Sequence, residues 1–316
     1  MTWWCTGIRW KGSAPVIGWY GQGRGERVSA PAYGQRLAFV ARGERHCLGV
    51  WRAGKRTPCP ASAAISGRGG SAQCPECARL DRSFSVAADT NAADPRTYRV
   101  YLAWFGPGMV KVGITAEERG PARLLEQGAV SWTWLGRGPL MATRRTEELL
   151  RAALGRGPLM ATRRTEELLR AALGVPDRIA YTRKRAVRAH LPGAPERARE
   201  VAELHGRAAA LAGWPESLER MGCEVTDHAT VFGMDLWQGL PAPDRVVAEM
   251  AADRAVVGRL VGAAGPDLHF EDGLVVDTRL LAGWELATPG EGAVTSVPVA
   301  QIPAAAAAPM EQDGLF

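Results

Sequence analysis

Tyr98-Arg99-Val100-Tyr101-Leu102-Ala103-Trp104-Phe105, then Gly106-Pro107-Gly108, then Met109-Val110-Lys111-Val112-Gly113-Ile114-Thr115, is the stretch that decides how the middle of the chain folds. Two runs rich in aromatic and β-branched residues flank residues suited to a tight turn, which predicts a β-hairpin. The pattern then predicts a helix over 121–127 and a strand over 130–135. Upstream, residues 1–46 hold short aromatic and β-branched runs broken by glycine, which read as strands of a small β module.

Between these two regions lie four of the six cysteines, Cys47, Cys59, Cys74 and Cys77. The last two form the CxxC knuckle Cys74-Pro75-Glu76-Cys77, which lets two thiolates reach one ion, while Cys47 and Cys59 can fold over as the other half of a cage. Four soft thiolates in a closed tetrahedron suit Zn²⁺ and leave no open position for catalysis, so the expectation is a structural zinc site. Disulfides would need an oxidising compartment, and the N-terminal residues lack the pattern of a signal peptide. A redox CxxC would want a βαβ setting that the following residues barely supply. His46 is an alternative ligand, or a neighbour that orients one. Cys5 and Cys223 read as small core residues. The Gly-rich run 66–71 reads as a loop within the metal segment, since no helix start follows it.

Charge divides the chain. Residues 1–200 carry 33 Lys/Arg against 16 Asp/Glu, whereas residues 201–316 carry 6 against 17. A basic front is the footprint expected of a partner of DNA or RNA, and Lys111 and the run Arg183-Lys184-Arg185 are the candidate phosphate contacts. The competing reading is two halves of opposite charge that attract each other. No apolar run reaches the ~20 residues a membrane span needs, so a soluble, cytoplasmic protein without a membrane partner is expected. Oligomeric state is left open. No Gly-x-Ser-x-Gly, His-Glu-x-x-His or P-loop pattern occurs, and the five histidines are scattered.

Residues 135–153 recur unchanged at 154–172. Identity over all 19 positions points to a recent duplication and not to a solenoid, which needs at least three drifted units. Each copy reads as a Gly-Pro loop and an amphipathic helix, with Leu149, Leu150, Ala153 and Leu154 on one stripe of the first.

The order of a strand with Tyr101, a partner strand Lys111-Val112-Gly113-Ile114-Thr115, a helix with Arg123-Leu124 and a helix with Glu-Glu-Leu-Leu resembles the GIY-YIG nuclease superfamily, closest to divergent members with a Lys-Ile/Val-Gly-x-Thr second motif. The four-cysteine segment followed by Tyr101-Leu102-Ala103, Lys111 to Thr115 and Gln127-Gly128-Ala129 also resembles a bacterial and archaeal family of uncharacterised zinc-containing proteins, over roughly residues 1–285. The first resemblance implies that Tyr101 orients the attacking water. It implies that Arg123 steadies phosphate charge in the transition state. Glu147 or Glu148, or Glu166 or Glu167 in the duplicate, would hold one Mg²⁺ or Mn²⁺. Lys111 stands where the superfamily has tyrosine, and its late asparagine is missing, since the one asparagine here is Asn91.

The expected fold class is therefore α+β: a small N-terminal β module (1–46), a four-cysteine zinc segment (47–86), and a GIY-YIG-like mixed α/β domain containing the duplication (96–192). C-terminal helices and a β-hairpin in an acidic region (193–290) and a disordered tail (291–316) complete it. The expected function is a zinc-containing, nucleic-acid-associated protein on a divergent nuclease-like fold. The alternatives are a metal-dependent phosphodiesterase and a protein-interaction module. A domain built for one amphipathic helix buries one copy, so deleting residues 154–172 is expected to leave thermal melting unchanged. A much earlier melt would rule that out.

Overall fold

The computed structural model describes residues 3–52, 55–82, 94–153 and 179–303. The second repeat copy, with Glu166 and Glu167, and the end of the chain from 304 lie outside the described residues.

The chain opens with strands β1 (Trp4–Lys11), β2 (Ala14–Gly21), β3 (Gly25–Ser29) and β4 (Arg36–Arg42), then the short pair β5 (Val50–Arg52) and β6 (Lys55–Thr57) and helix α1 (Pro75–Arg82). The middle supplies β7 (Thr97–Trp104), β8 (Val110–Ala116), α2 (Ala122–Gln127), β9 (Ser131–Pro139) and α3 (Leu140–Ala153). Helices α4 (Tyr181–Val187) and α5 (Ala194–Ala209) and the short strands β10 (Glu219–Arg220) and β11 (Thr226–Asp227) follow. The last elements are β12 (Arg245–Val247), β13 (Ala255–Ala264), β14 (Asp267–Phe270), β15 (Leu274–Asp277), the one-turn helix α6 (Thr278–Leu281), β16 (Glu285–Ala287) and β17 (Val299–Gln301). The fold is mixed α+β, as expected, with the expected hairpins at β7–β8 and β14–β15.

Strands from both ends of the chain build one ten-stranded sheet, in the order β17-β12-β15-β14-β13-β4-β16-β1-β2-β3. The segments 1–46 and 193–290, read separately in the sequence, thus share a core. β4 pairs antiparallel with β13 from Val40↔Ala255 to Arg36↔Arg259, and β16 lies between β4 and β1. The reason is apolar surface. Cys5, Trp10, Ile17, Leu37 and Ala41 are too few to close a core, which Val256, Leu260, Phe270, Leu281 and Trp284 complete.

The middle of the chain forms a second sheet, β10-β9-β7-β8, with β11 also on β9. Strand alternation gives it two faces. Val100, Leu102 and Trp104 face α3 and α5, packing with Ala142, Leu150, Val201 and Ala208. Tyr101, Ala103 and Phe105 face the other way, against Leu124 of α2, Trp132 and Ile179.

α4 and the turn after it join the two sheets. Arg185 donates to Asp267 at 2.6 Å and to Asp277 at 2.8 Å, and Arg188 donates to Asp267 at 2.8 Å. The β14–β15 register sets Asp267 directly opposite Asp277, so the two carboxylates would repel without these guanidiniums. Beside them the backbone of α2's end touches the β13–β14 turn. A methyl on Gly128, whose φ is +71°, would overlap Arg188 and crowd Gly265.

Candidate functional site

The four cysteines expected to hold a metal come together, with all four Sγ atoms within 4.8 Å of one another. A tetrahedral Zn–S distance of about 2.3 Å requires sulfurs about 3.8 Å apart, and Cys59 and Cys74 lie 3.9 Å apart. The Cys47 sulfur accepts from the N–H of Gly49 (3.4 Å) and of Cys74 (3.1 Å), contacts that favour a thiolate. The backbone N–H of Ala63 leads in lowering Cys59 to about 7. Burial pushes Cys47 up, and burial with the neighbouring thiols pushes Cys77 up. Four thiols in contact resist losing their protons together unless a cation compensates. The donor set is compatible with structural zinc. His46 does not join the four sulfurs, and its Nδ1 lies 3.0 Å from the Ser62 carbonyl oxygen. Cys5 is buried as expected and raised to about 12 by burial, whereas Cys223 is exposed and not the core residue its small size suggested.

Arg45, which the sequence reading passed over, ties this segment to the large sheet. It is 1% exposed and donates to the carbonyls of Ala282, Ser66, Gly69 and Arg279 at 2.8, 2.5, 2.7 and 2.8 Å. Burial lowers it to about 10, which leaves it charged at neutral pH. The Gly-rich loop is thus held by one guanidinium. A charged residue between Glu44 and His46 was the sole hint of it.

The residues matched to a nuclease do not converge. Tyr101 is buried and its hydroxyl accepts from Gln127 Nε2 at 2.9 Å. Gly113 lies opposite it, and a methyl there would overlap the tyrosine ring, so packing accounts for that glycine. Lys111 donates to Gln127 Oε1 at 2.9 Å, and Arg123, on the same helix as Gln127, lies 3.7 Å from Glu126. Glu147 stands on α3, which covers the opposite face of the sheet, and Glu166 is outside the described residues. The buried side chains of α3, Ala142 and Leu150, thus pack on the sheet face opposite Tyr101.

Two of the basic run's three residues also correct their expected role. Lys184 is 5% and Arg185 7% exposed, which removes both from reach of a phosphate backbone. Arg185 holds Asp267 and Asp277, and Lys184 donates to the Gln127 carbonyl at 2.9 Å with Phe105 and Tyr181 around it. Arg183 alone of the three is exposed. Charges of the acidic region pair with arginines of the basic front elsewhere too: Arg42 with Asp253, Arg68 with Glu249, Arg197 with Asp227.

A different basic and aromatic group stands beside the cysteine segment. Trp51 is 40% exposed, with the guanidinium of Arg9 4.5 Å from its ring centre and that of Arg56 at 5.3 Å. Arg56 also lies over Tyr20, and Glu26 links the two arginines. Trp51 and Arg56 line a cleft of about 380 Å³ whose lining also includes Ser71, Tyr181 and Arg279. Residues 1–82 contain 13 Lys/Arg against 4 Asp/Glu, about half of the positive excess of residues 1–200.

Fold and site define an α+β protein on two main sheets, with a four-cysteine centre compatible with structural zinc. A family model described as "Protein of unknown function (DUF2797)" matches residues 34–157 and 158–286. The chain belongs to that family. The two matched stretches meet inside the duplicated segment. No curated protein and no solved structure matches the chain.

Lys184 offers a test of how the joint is built. Burial, then repulsion from Arg188 and Lys111, lowers it from 10.5 to about 6. Between those values the unfolded chain carries a proton that the folded chain lacks, so this group makes stability rise with pH across that window. Lys184→Met removes the linkage. Denaturant melts are expected to show the parent gaining on the variant as pH rises from about 6 to about 9. A difference independent of pH would mean that Lys184 stays charged in the fold.

Proposed function

We propose that the protein binds single-stranded DNA or RNA along its cysteine-bearing face, with a structural zinc held by Cys47, Cys59, Cys74 and Cys77, and that it does not cleave what it binds. The observation that carries the reading is Trp51, exposed and flanked by Arg9 and Arg56 at the mouth of a cleft. An exposed indole offers a stacking surface to any base, and the half-buried Arg9 guanidinium beside it serves the adjacent phosphate, with Arg56 packed beneath. The zinc would fix the loop carrying Cys47 and the start of α1, and through them the β5–β6 hairpin that presents Trp51. The non-catalytic half of the reading is supported by α3, the helix that carries Glu147, packing on the sheet face opposite Tyr101.

The test is titration of the zinc-replete protein with single-stranded and duplex DNA and RNA at several salt concentrations, with Mn²⁺ or EDTA present. Binding is expected to prefer single strands and to weaken as salt rises. Trp51→Ala is expected to cost roughly tenfold in affinity, about the value of one lost base stack, without changing the melt. Cys77→Ser is expected to lower both zinc content, read by elemental analysis, and affinity. No binding at low salt would reject the proposal in favour of a protein-interaction module. Mn²⁺-dependent cutting that Tyr101→Phe abolishes would reject its non-catalytic half.

A further inference from the structure

On the far side of the joint between the sheets lies a second cavity, of about 420 Å³, which shares no lining residue with the cleft at Trp51. Its apolar lining is covered on one side only: Leu191, Pro192, Met234, Trp237 and Leu240 are all half-buried, and Leu236 beside them is 50% exposed. An apolar hollow left uncovered is a place for a ligand or a segment of chain.

The edge of the large sheet runs into it. β17 pairs antiparallel with β12, Gln301 opposite Arg245, and the Ile302 N–H carries the ladder one step further by donating to the Asp244 carbonyl at 2.7 Å. The residues next in line on the partner side, Pro243, Ala242, Pro241 and Leu240, all belong to the cavity's lining. The chain that leaves β17 at Pro303 is thus aimed along the cavity's rim. Pro241 and Pro243 have no N–H to give, so strand pairing cannot carry it onward. Residues 304–308 are alanines, which offer little surface to pack. A hold on this segment must come from side chains beyond them, and the largest adjacent apolar pair there is Leu315-Phe316, preceded by Gly314. Residues 303–315 reach up to about 40 Å when extended, far beyond what residues 240–243 span.

We infer that residues 304–316 fold back along this rim and seat Leu315 and Phe316 in the cavity, with the Phe316 ring against Trp237 and Leu240. The cavity's walls come from both sides of the joint, Leu191 and Pro192 between α4 and α5, Val261 and Phe270 in the large sheet, so the seated tail bridges them. This docking does not involve Trp51 and stands or falls separately from nucleic-acid binding.

Amide exchange of the whole protein, read by mass spectrometry, tests it with a variant carrying Leu315→Asp and Phe316→Asp. Exchange over residues 229–242 is expected to quicken about tenfold, as release of a tail docked about nine-tenths of the time gives, while β7 and β8 keep their rates. A peptide of residues 309–316 at about 10 mM, above the millimolar effective concentration of a short tether, is expected to restore the slow rates in the variant. The same peptide carrying Phe316→Asp is expected to leave them fast. Unchanged exchange over residues 229–242 in the variant would overturn the proposal. So would quickening spread over both sheets, which would mean lost stability and not an emptied cavity, or a peptide that restores nothing. Protection that rises with protein concentration would overturn it in favour of the tail of a second copy.

Discussion

Asp267, wholly buried and opposite Asp277 on the neighbouring strand, is held by Arg185 and Arg188. On that ion cluster the relation between the two sheets depends. Burying charge is expensive, and a buried pair contributes little net stability compared with apolar residues of the same shape. What it contributes here is uniqueness of position. An apolar face of α4 could slide on the sheet, whereas two guanidiniums forked onto carboxylates fixed by strand register admit one docking. Removing a partner leaves an uncompensated charge in the interior, so the joint fails abruptly and not gradually.

From that joint the two candidate sites take their positions. Tyr181, at the start of α4, and Arg279, which donates to Asp277 on the large sheet, stack on each other and form one wall of the cleft at Trp51. On the other side Arg188 reaches His269 and helps to shape the second cavity. Arg45 does comparable work for the cysteine segment, fastening its glycine-rich loop to α6 and the residue after it. Much of the chain's uneven charge is consumed in this way. Arginines of the basic front meet carboxylates of the acidic region, Arg185 with Asp267 in the interior and Arg42 with Asp253 at the surface.

The hairpin at β7–β8 and the cysteine cluster were legible because their signals are local: alternation broken by Gly106-Pro107-Gly108, and a CxxC within reach of two further thiols. The shared sheet was not, because β4 meets β13 more than 200 residues later, and nothing within either strand names its partner. The fate of Lys184 and Arg185 was hidden for a like reason. A basic run looks the same whether it faces water or buried aspartates, and those aspartates lie some 80 to 90 residues downstream. The two faces of β7 were legible, though not which of them α3 covers. Val100 and Leu102 share the parity that suits an amphipathic helix on one face, Tyr101 has the other, and only the choice of face for α3 needed the structure.

The most direct measurement is the unfolding free energy of Asp267→Asn against the parent at neutral pH. If the buried ions hold the sheets together, the variant loses about 3–5 kcal/mol, the cost of breaking one partner from a buried pair. Amide exchange at Lys184, Arg185 and Gly128 should then quicken with that loss. A change under about 1 kcal/mol, the range of an exposed ion pair, would contradict the account and place the joint in solvent.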